Sequence, residues 1–252
     1  MKARMEASRS RSIQAPELAT RIAALLLVSI AGAPATARGN TAADVGAPLS
    51  AEPRQASPLD GAGLWFSAGA LAGSTQPGGG LADYQWDTTP RAAWGFQALG
   101  GAGRFATGLR LWSTRTRQTI DASQGSSVAV QATTWELVGR GRLGTVWSTQ
   151  VLATASAGLL HLGYTPDRIT LASYGGGTPI VVDLEPMNEW IAGGGLAFRR
   201  SLARTWTAGL EVEHRIFGLD TAHRNGDAIE VGRESFDDWS ARFEFAWAYQ
   251  RP

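Results

Sequence analysis

Three histidines, His161, His214 and His223, are the side chains best suited to general base catalysis, because imidazole titrates near neutral pH. A hydrolytic site would also need a nucleophile and an orienting acid within reach of one of them. None of the three has a serine two residues further along, where a shared strand face would bring it close. Glu213 precedes His214, but adjacent strand residues point to opposite faces. We therefore predict no catalytic residues and a protein that is not an enzyme.

Acidic residues are scattered through the regions between the apolar segments. They are Asp83, Asp87, Asp167, Asp183, Glu185, Asp220 and Asp227. Their spacing does not match a calcium loop, so we interpret them as solvated and predict no metal. The glycines from Gly193 to Gly195 lie inside a predicted strand and open no helix, which argues against a nucleotide site. We predict no cofactor.

The first 37 residues have the pattern of a secretory signal. A run of apolar residues at 22–33 follows five basic residues and precedes the small residues Ala35 and Ala37. The run is too short for a spanning helix, and we predict cleavage after Ala37, with Met1 or Met5 as the start. Cleavage removes five of 23 basic and two of 22 acidic residues, so the exported chain carries about −2 charges. No basic surface for nucleic acid remains.

Two further regions follow the predicted signal. Residues 38–60 lack periodicity and are rich in Ala, Pro and Ser, which predicts a disordered periplasmic leader. Residues 61–252 contain eight strand-length segments in which polar and apolar residues alternate. The predicted strands are 63–73, 91–99, 104–121, 128–142, 147–163, 187–199, 205–218 and 234–250. Tight turns at 100–103, 143–146 and 200–204 alternate with long loops, which predicts that both termini are periplasmic.

The last predicted strand has two incompatible faces. Trp239, Phe243 and Trp247 lie on one side, while Arg242 and Glu244 lie on the other. A strand that faces lipid on one side and a polar lumen on the other is typical of a transmembrane β-barrel. Aromatic residues expected at the two membrane interfaces are Phe105, Trp135, Trp147, Trp190, Phe198, Trp206, Trp239, Trp247 and Tyr249.

Charged residues share the inward parity of the predicted strands. They are Arg110, Glu136, Arg140, Arg142, Glu189, Arg199, Glu211, Glu213, Arg215, Arg242 and Glu244. Most lie on the third, fourth, seventh and eighth strands, which face each other across a ring of eight, so we predict ion pairs that span the lumen and close it. Trp65, Trp112 and Phe217 also fall on this parity, which a bulge, a strand end above the membrane or a wrong register would explain.

Strand count, loop alternation, lumen charges and the aromatic final strand resemble the small eight-stranded outer-membrane barrels of the OmpA, OmpX and OmpW type over about residues 61–250. The resemblance implies an all-β, eight-stranded antiparallel up-and-down transmembrane β-barrel in a Gram-negative outer membrane. It implies contact with outer-membrane lipid and lipopolysaccharide, and a last strand read by the barrel-assembly machinery. In such proteins an aromatic residue usually ends the chain, whereas here Tyr249 is followed by three more residues.

Turn signals at Gln124-Gly125, Gly175–Gly177 and Asn225-Gly226 predict hairpins outside the cell. The third and fourth strands, and the seventh and eighth, are expected to continue above the bilayer with sheet edges that could pair with a protein partner. We interpret the protein as a non-enzymatic barrel acting in adhesion, envelope integrity or an envelope assembly. The alternative is a narrow channel or conduit for small hydrophobic molecules, favoured by an apolar lumen mouth. A lipid-modifying enzyme would need polar residues clustered on the lipid-facing wall, and we predict no such cluster.

Overall fold

A computed structural model describes residues 63–172, 178–225 and 228–250. The predicted signal peptide with Ala35 and Ala37, the leader at 38–60 and the Gly175–Gly177 turn lie outside these ranges.

Eight strands form one closed antiparallel barrel, as the alternation predicts. They are β1 (Leu64–Pro77), β2 (Arg91–Ala102), β3 (Phe105–Asp121), β4 (Ser126–Val146), β5 (Thr149–Thr165), β8 (Met187–Ser201), β9 (Trp206–Asn225) and β10 (Ala228–Gln250). Two further strands, β6 (Arg168–Leu171) and β7 (Ile180–Asp183), pair in a separate hairpin between β5 and β8. Several strands are longer than predicted. β9 and β10 extend further at their external ends, and β4 extends further at both ends.

The strands are staggered around the ring. Two routes of strand pairing lead from Thr114 of β3 to β5, and they end at different residues. Successive partners through β2, β1, β10, β9 and β8 lead to Leu152, whereas partners through β4 lead to Leu162, so the stagger around the ring is ten residues. This stagger and the strand number fix the tilt and the diameter of a barrel. A barrel of eight strands has an interior just wide enough to be filled by side chains.

The outer wall is apolar and has aromatic residues near both ends. All nine predicted interface aromatics are exposed. Trp94, Trp135, Trp190 and Trp239 lie toward the end with long loops, and Phe105, Phe198, Trp206, Trp247 and Tyr249 toward the end with short turns. An apolar wall with two aromatic belts around a charged interior identifies an outer-membrane β-barrel, whose short turns face the periplasm. Among the described residues, no helix has the length and hydrophobicity needed to cross a bilayer.

The predicted turns at 100–103 and 143–146 differ from the observed ones. In the first, β2 continues to Ala102 and β3 begins at Phe105, which leaves Gly103 and Arg104 as the turn. The predicted turn at 143–146 is wrong, because β4 continues to Val146 and the chain reverses at Trp147 and Ser148, which have positive φ values of 46° and 68°. Two successive residues with positive φ match the twist of a tight hairpin. Trp147 therefore lies in the turn, 92% exposed, and not in β5. Asn225 pairs with Ala228, and the connection between them, with Gly226 of the predicted Asn225-Gly226 turn, lies outside the described ranges.

The external mouth is closed by the segment between β1 and β2. A 3-10 helix at Gly79–Tyr84 places Leu81 in the mouth, and Trp86 follows it inward. Both pack in a buried apolar cluster whose other members are Val128, Val130, Leu160, Leu162, Ile191, Phe217, Leu219 and Phe236. We call residues 78–87 the lid. The outer half of the lumen is therefore an apolar core.

Candidate functional site: a buried charge network

Ten buried charged side chains meet in the middle of the lumen. They are Arg110, Arg140, Arg199, Arg215, Arg242, Glu136, Glu211, Glu213, Glu244 and Asp238. We call this set the lumen network. Five arginines face five carboxylates, so the network is neutral by formal charge. Its members come from β3, β4, β8, β9 and β10, whose inward-facing positions alternate with lipid-facing ones.

Arg110 on β3 is the centre of the network. Its guanidinium donates to Glu136 on the adjacent strand β4 at 2.6 Å. It also reaches across the barrel to β9, where it donates to Glu213 at 2.6 Å and to Glu211. β3 and β9 are four positions apart in the ring of eight, so these bonds span the diameter.

A second set of bonds spans the barrel between β4 and β10. Arg140 donates to Glu244 at 2.9 Å and pairs with Glu211 as well. Arg199 on β8 donates to the other oxygen of Glu244. Gln97 on β2 accepts a further bond from Arg140 at 3.2 Å. Each carboxylate here is therefore shared by two or more arginines, which compensates the large cost of burying a charge.

Asp238 is the member that the sequence prediction missed. Arg215 donates to it twice, both at 2.7 Å, in the bidentate geometry that suits guanidinium and carboxylate. Arg215 also donates to Glu136 at 3.1 Å. The signal was present in the sequence, since Asp238 shares the parity of Arg242 and Glu244 on the same strand.

Two predicted members lie away from the network. Glu189 is four residues nearer the external end of β8 than Gly193, the position opposite Arg215, and it pairs with Arg233 in the external region. Arg142 is only half-buried and lies at the periplasmic end of the lumen, two residues beyond Arg140. Parity placed both on the inner face, but their positions along the barrel axis set them apart from the network.

Two tryptophans flank the network. The Arg242 guanidinium carbon lies 5.0 Å from the ring centroid of Trp112, and that of Arg199 lies 5.8 Å from Trp65. Such positions over an aromatic ring stabilise a cation. The Trp112 indole also donates to Thr75 at 3.0 Å. Trp65, Trp112 and Phe217 therefore point inward, and neither a bulge nor a wrong register is needed to explain their parity.

Small residues opposite the network let the charged side chains fit. A Cβ atom at Gly193 would lie 2.7 Å from the Cγ atom of Arg215 and 2.8 Å from a carboxylate oxygen of Glu213. Ser156, on the adjacent strand β5, donates to the same carboxylate at 2.6 Å. The space beside Ser156 of β5 and Gly193 of β8 is thus occupied by side chains from β9.

The network separates two small cavities. The one on the external side has a volume of about 40 Å³ and lies beneath the lid, between Leu81, Trp112 and Phe217. The one on the periplasmic side has a volume of about 20 Å³. Ion pairs, flanking tryptophans and the apolar core close the lumen over most of its length.

The external hairpins differ in how their edges are covered. In the β3–β4 hairpin the lid pairs with β3 near Gln118, and β5 pairs with β4 as far as Ala129. The expectation of free edges is therefore wrong for most of this hairpin. In the β9–β10 hairpin, the described pairing of β8 with β9 ends at Phe217 and that of β1 with β10 at Asp238.

Two pairs of polar side chains occur on the outer wall near the external aromatic belt. His214 lies 2.9 Å from the Asp237 carboxylate and 4.8 Å from the Trp239 ring centroid. His161 lies 2.8 Å from Asn188. None of these partners is a hydroxyl or thiol nucleophile. The side chain of His223 lies outside the described residues.

The described acidic residues of the loops are not gathered into a metal site. Among the residues that the structure describes, no group of three His, Cys, Asp or Glu side chains is placed to hold a metal ion. Asp87 pairs with Arg91 and Asp183 with Arg168.

In the lid, partial burial and then a 2.7 Å hydrogen bond to Glu234 raise the pKa of Tyr84 above its ordinary value.

Comparisons with known proteins give matches in structure but not in sequence. No protein-family model matches the chain, and no curated protein sequence is significantly similar. Neisserial surface protein A superposes with a TM-score of 0.45 at 9% identity over 72% of this chain and 96% of that one. Outer membrane protein W of E. coli gives 0.44 at 18% identity over 75% and 99%. The outer membrane protease OmpT of E. coli gives 0.34 at 9% identity over 81% and 99%. At such values the matches say nothing about what this chain binds or does.

Proposed function

We propose that this protein is a closed, non-enzymatic outer-membrane barrel that presents the β9–β10 hairpin to a protein partner in adhesion, envelope integrity or an envelope assembly. The observation that carries the proposal is the length of that hairpin. β10 begins at Ala228, eleven residues beyond Trp239 in the external aromatic belt. At a strand tilt near 40° this corresponds to roughly 25 Å above the bilayer.

The backbone of the hairpin supports binding by strand addition. Within the described residues, 218–225 of β9 form strand pairs with β10 alone, so the outer edge of β9 is open to an added strand. An extended segment of a partner would supply the complementary groups. Val231 near the tip is 73% exposed and offers an apolar contact. A free, flat edge would otherwise favour aggregation.

Site-specific photo-cross-linking in intact cells tests this proposal. A photoreactive residue at Val231 is expected to form an adduct with another envelope or extracellular protein. The matched control is Val181 on β7, which is also exposed but lies on the other external hairpin. Adducts at both positions alike, or at neither, would count against a partner specific to the β9–β10 hairpin.

A second candidate function rests on the apolar core beneath the lid. The lid, Trp112 and Phe217 enclose the cavity of about 40 Å³, and the surrounding cluster is apolar. Lid movement would enlarge this cavity into a chamber for a small hydrophobic molecule, so the conduit function is the alternative that we propose.

Transport of a small aromatic hydrocarbon into liposomes distinguishes the two functions. If the chamber serves as a conduit, Leu160→Trp, which fills it, reduces the flux. The control Leu159→Trp, on the outward face of the same strand, leaves the flux unchanged. Equal flux with and without the protein would exclude the conduit and leave the partner proposal intact.

A further inference from the structure

The cavity of about 20 Å³ at the periplasmic floor of the lumen has a lining rich in hydrogen-bond donors. Four arginines border it, Arg104, Arg140, Arg142 and Arg199, together with Trp65. No acidic residue is among the described residues that line it. The charged part of the lining is therefore entirely cationic.

Three buried donors in this lining have no acceptor among the described residues. They are the indole Nε1 of Trp65 and the Nε atoms of Arg140 and Arg199. All three side chains are more than nine-tenths buried. Both guanidinium groups use their terminal nitrogens in the lumen network, so their Nε–H groups are left over. A buried donor without an acceptor is unfavourable, and a shared acceptor would satisfy it.

We propose that this cavity binds one small inorganic anion of the chloride class from the periplasm. The volume has room for a single atom-sized occupant. A water molecule both donates and accepts hydrogen bonds, whereas a halide only accepts, which suits a lining whose charged groups are all donors. The lumen network is already neutral, so Arg104 adds positive charge at the floor that attracts an anion.

The site is separate from the hairpin and from the apolar core. Trp65 and Arg199 lie at the periplasmic side of the lumen network, and the lid closes the external side. An anion here would complete the hydrogen bonding of Arg140 and Arg199 and thereby stabilise the closed lumen from the periplasmic side.

Bromide diffraction and urea unfolding of the full chain in detergent micelles test the proposal. Crystals grown in bromide are expected to show an anomalous peak within hydrogen-bond distance of Trp65 and Arg199. The urea midpoint is expected to rise with chloride or bromide, and to stay constant with gluconate at equal ionic strength, because gluconate is too large for the cavity. No peak, or a peak without any change in midpoint, which marks an adventitious ion only, would overturn the proposal.

Variants of the lining residues test whether the halide dependence of the urea midpoint arises at the floor of the lumen. Trp65→Phe keeps the ring but removes one donor, and it is expected to weaken the halide dependence of the midpoint about tenfold in concentration. Trp94→Phe on the outer wall is the matched control. If Trp65→Phe does not fold, Arg104→Gln against Arg200→Gln, an exposed arginine of β8, gives the same comparison. A halide dependence that is unchanged in every floor variant would place the anion elsewhere.

Discussion

The central residue of this barrel is Arg110, which holds three carboxylates from two strands. Glu136, Glu211 and Glu213 all accept from it, and each is buried. The net gain from a buried ion pair over apolar packing is small, but removal of one partner leaves the others charged without compensation. Arg110 is therefore important mainly because its loss would leave three buried carboxylates without their shared cation.

Replacement of Arg110 by methionine is expected to destabilise the folded barrel by about 3–5 kcal/mol, because three carboxylates lose their shared cation. The free energy of unfolding in urea, measured in lipid vesicles, gives the value. Arg115→Met provides the control, since Arg115 is exposed on the same strand, and a change within about 0.5 kcal/mol is expected there. Similar losses in both variants would contradict a special role for the network.

The close approach of β8 to β9 at Gly195 predicts that a larger side chain there would destabilise the barrel. A Cβ atom at Gly195 would lie 2.0 Å from the Val212 carbonyl oxygen on β9, whereas one at Gly144 would meet nothing within 4 Å. Gly195→Ala is therefore expected to cost about 1–3 kcal/mol, since backbone must shift. Gly144→Ala is expected to be neutral or slightly stabilising. Unfolding midpoints measured side by side decide the matter, and equal midpoints would argue against tight packing at β8.

The element that most affects access to the lumen is the lid. Leu81 and Trp86 are its buried anchors, and Tyr84 packs partly buried against the same cluster, with its ring centroid 5.5 Å from that of Phe236. Backbone bonds tie it to β10 through Asp237 and to β3 through Arg117. Such a segment can open locally while the barrel remains folded.

Leu81→Ala is expected to open the lid without unfolding the barrel. A loss of about 2 kcal/mol of packing raises the open population roughly thirtyfold. Chymotrypsin should then cleave after Tyr84 or Trp86 at a correspondingly higher rate. Leu202→Ala, in an exposed periplasmic turn, should leave the cleavage rate unchanged. A lid that stays resistant in Leu81→Ala would show that its backbone bonds suffice.

The sequence predicts the elements that repeat and misses those that do not. Alternation of side chains with period two is a strong signal, and it locates all eight barrel strands. The lid has no such period, so neither its helix nor the inward Trp86 could be foreseen. The turn at Trp147 was missed because it lacks the glycine or asparagine that usually marks positive φ.

The alternation of residues predicts which face of a strand a side chain lies on, but not its position along the barrel axis. It placed Glu189 and Arg142 on the inner face, yet only the stagger between strands decides which inner residues meet. That stagger depends on pairing around the whole ring, which no single segment encodes. The same limit hid the contact of His214 with Asp237, which lie on different strands.

As a whole molecule, the protein is a filled barrel. The lumen network and the apolar core occupy the interior, and the cavities on either side of the network measure only about 40 and 20 Å³. An open pore would require side chains to leave several of these contacts together. The fold therefore suits display of its external hairpins better than bulk diffusion.

In planar lipid bilayers, the purified protein is expected to give no steady conductance. A hydrated hydrophilic pore of protein dimensions would pass current on the nanosiemens scale, whereas the lumen network blocks the path of ions. A wide porin inserted into the same bilayer serves as the control for detection. Stable nanosiemens steps that scale with the amount of this protein would refute the closed lumen.

The charges of the lumen network are divided unequally between two parts of the wall. Its members on β3, β4 and β8 carry three arginines and one glutamate, a formal charge of +2, and those on β9 and β10 carry four carboxylates and two arginines, a charge of −2. Separated from each other, the two parts would each expose uncompensated charge, which is unfavourable in contact with lipid tails. Closure of the ring therefore also neutralises the interior.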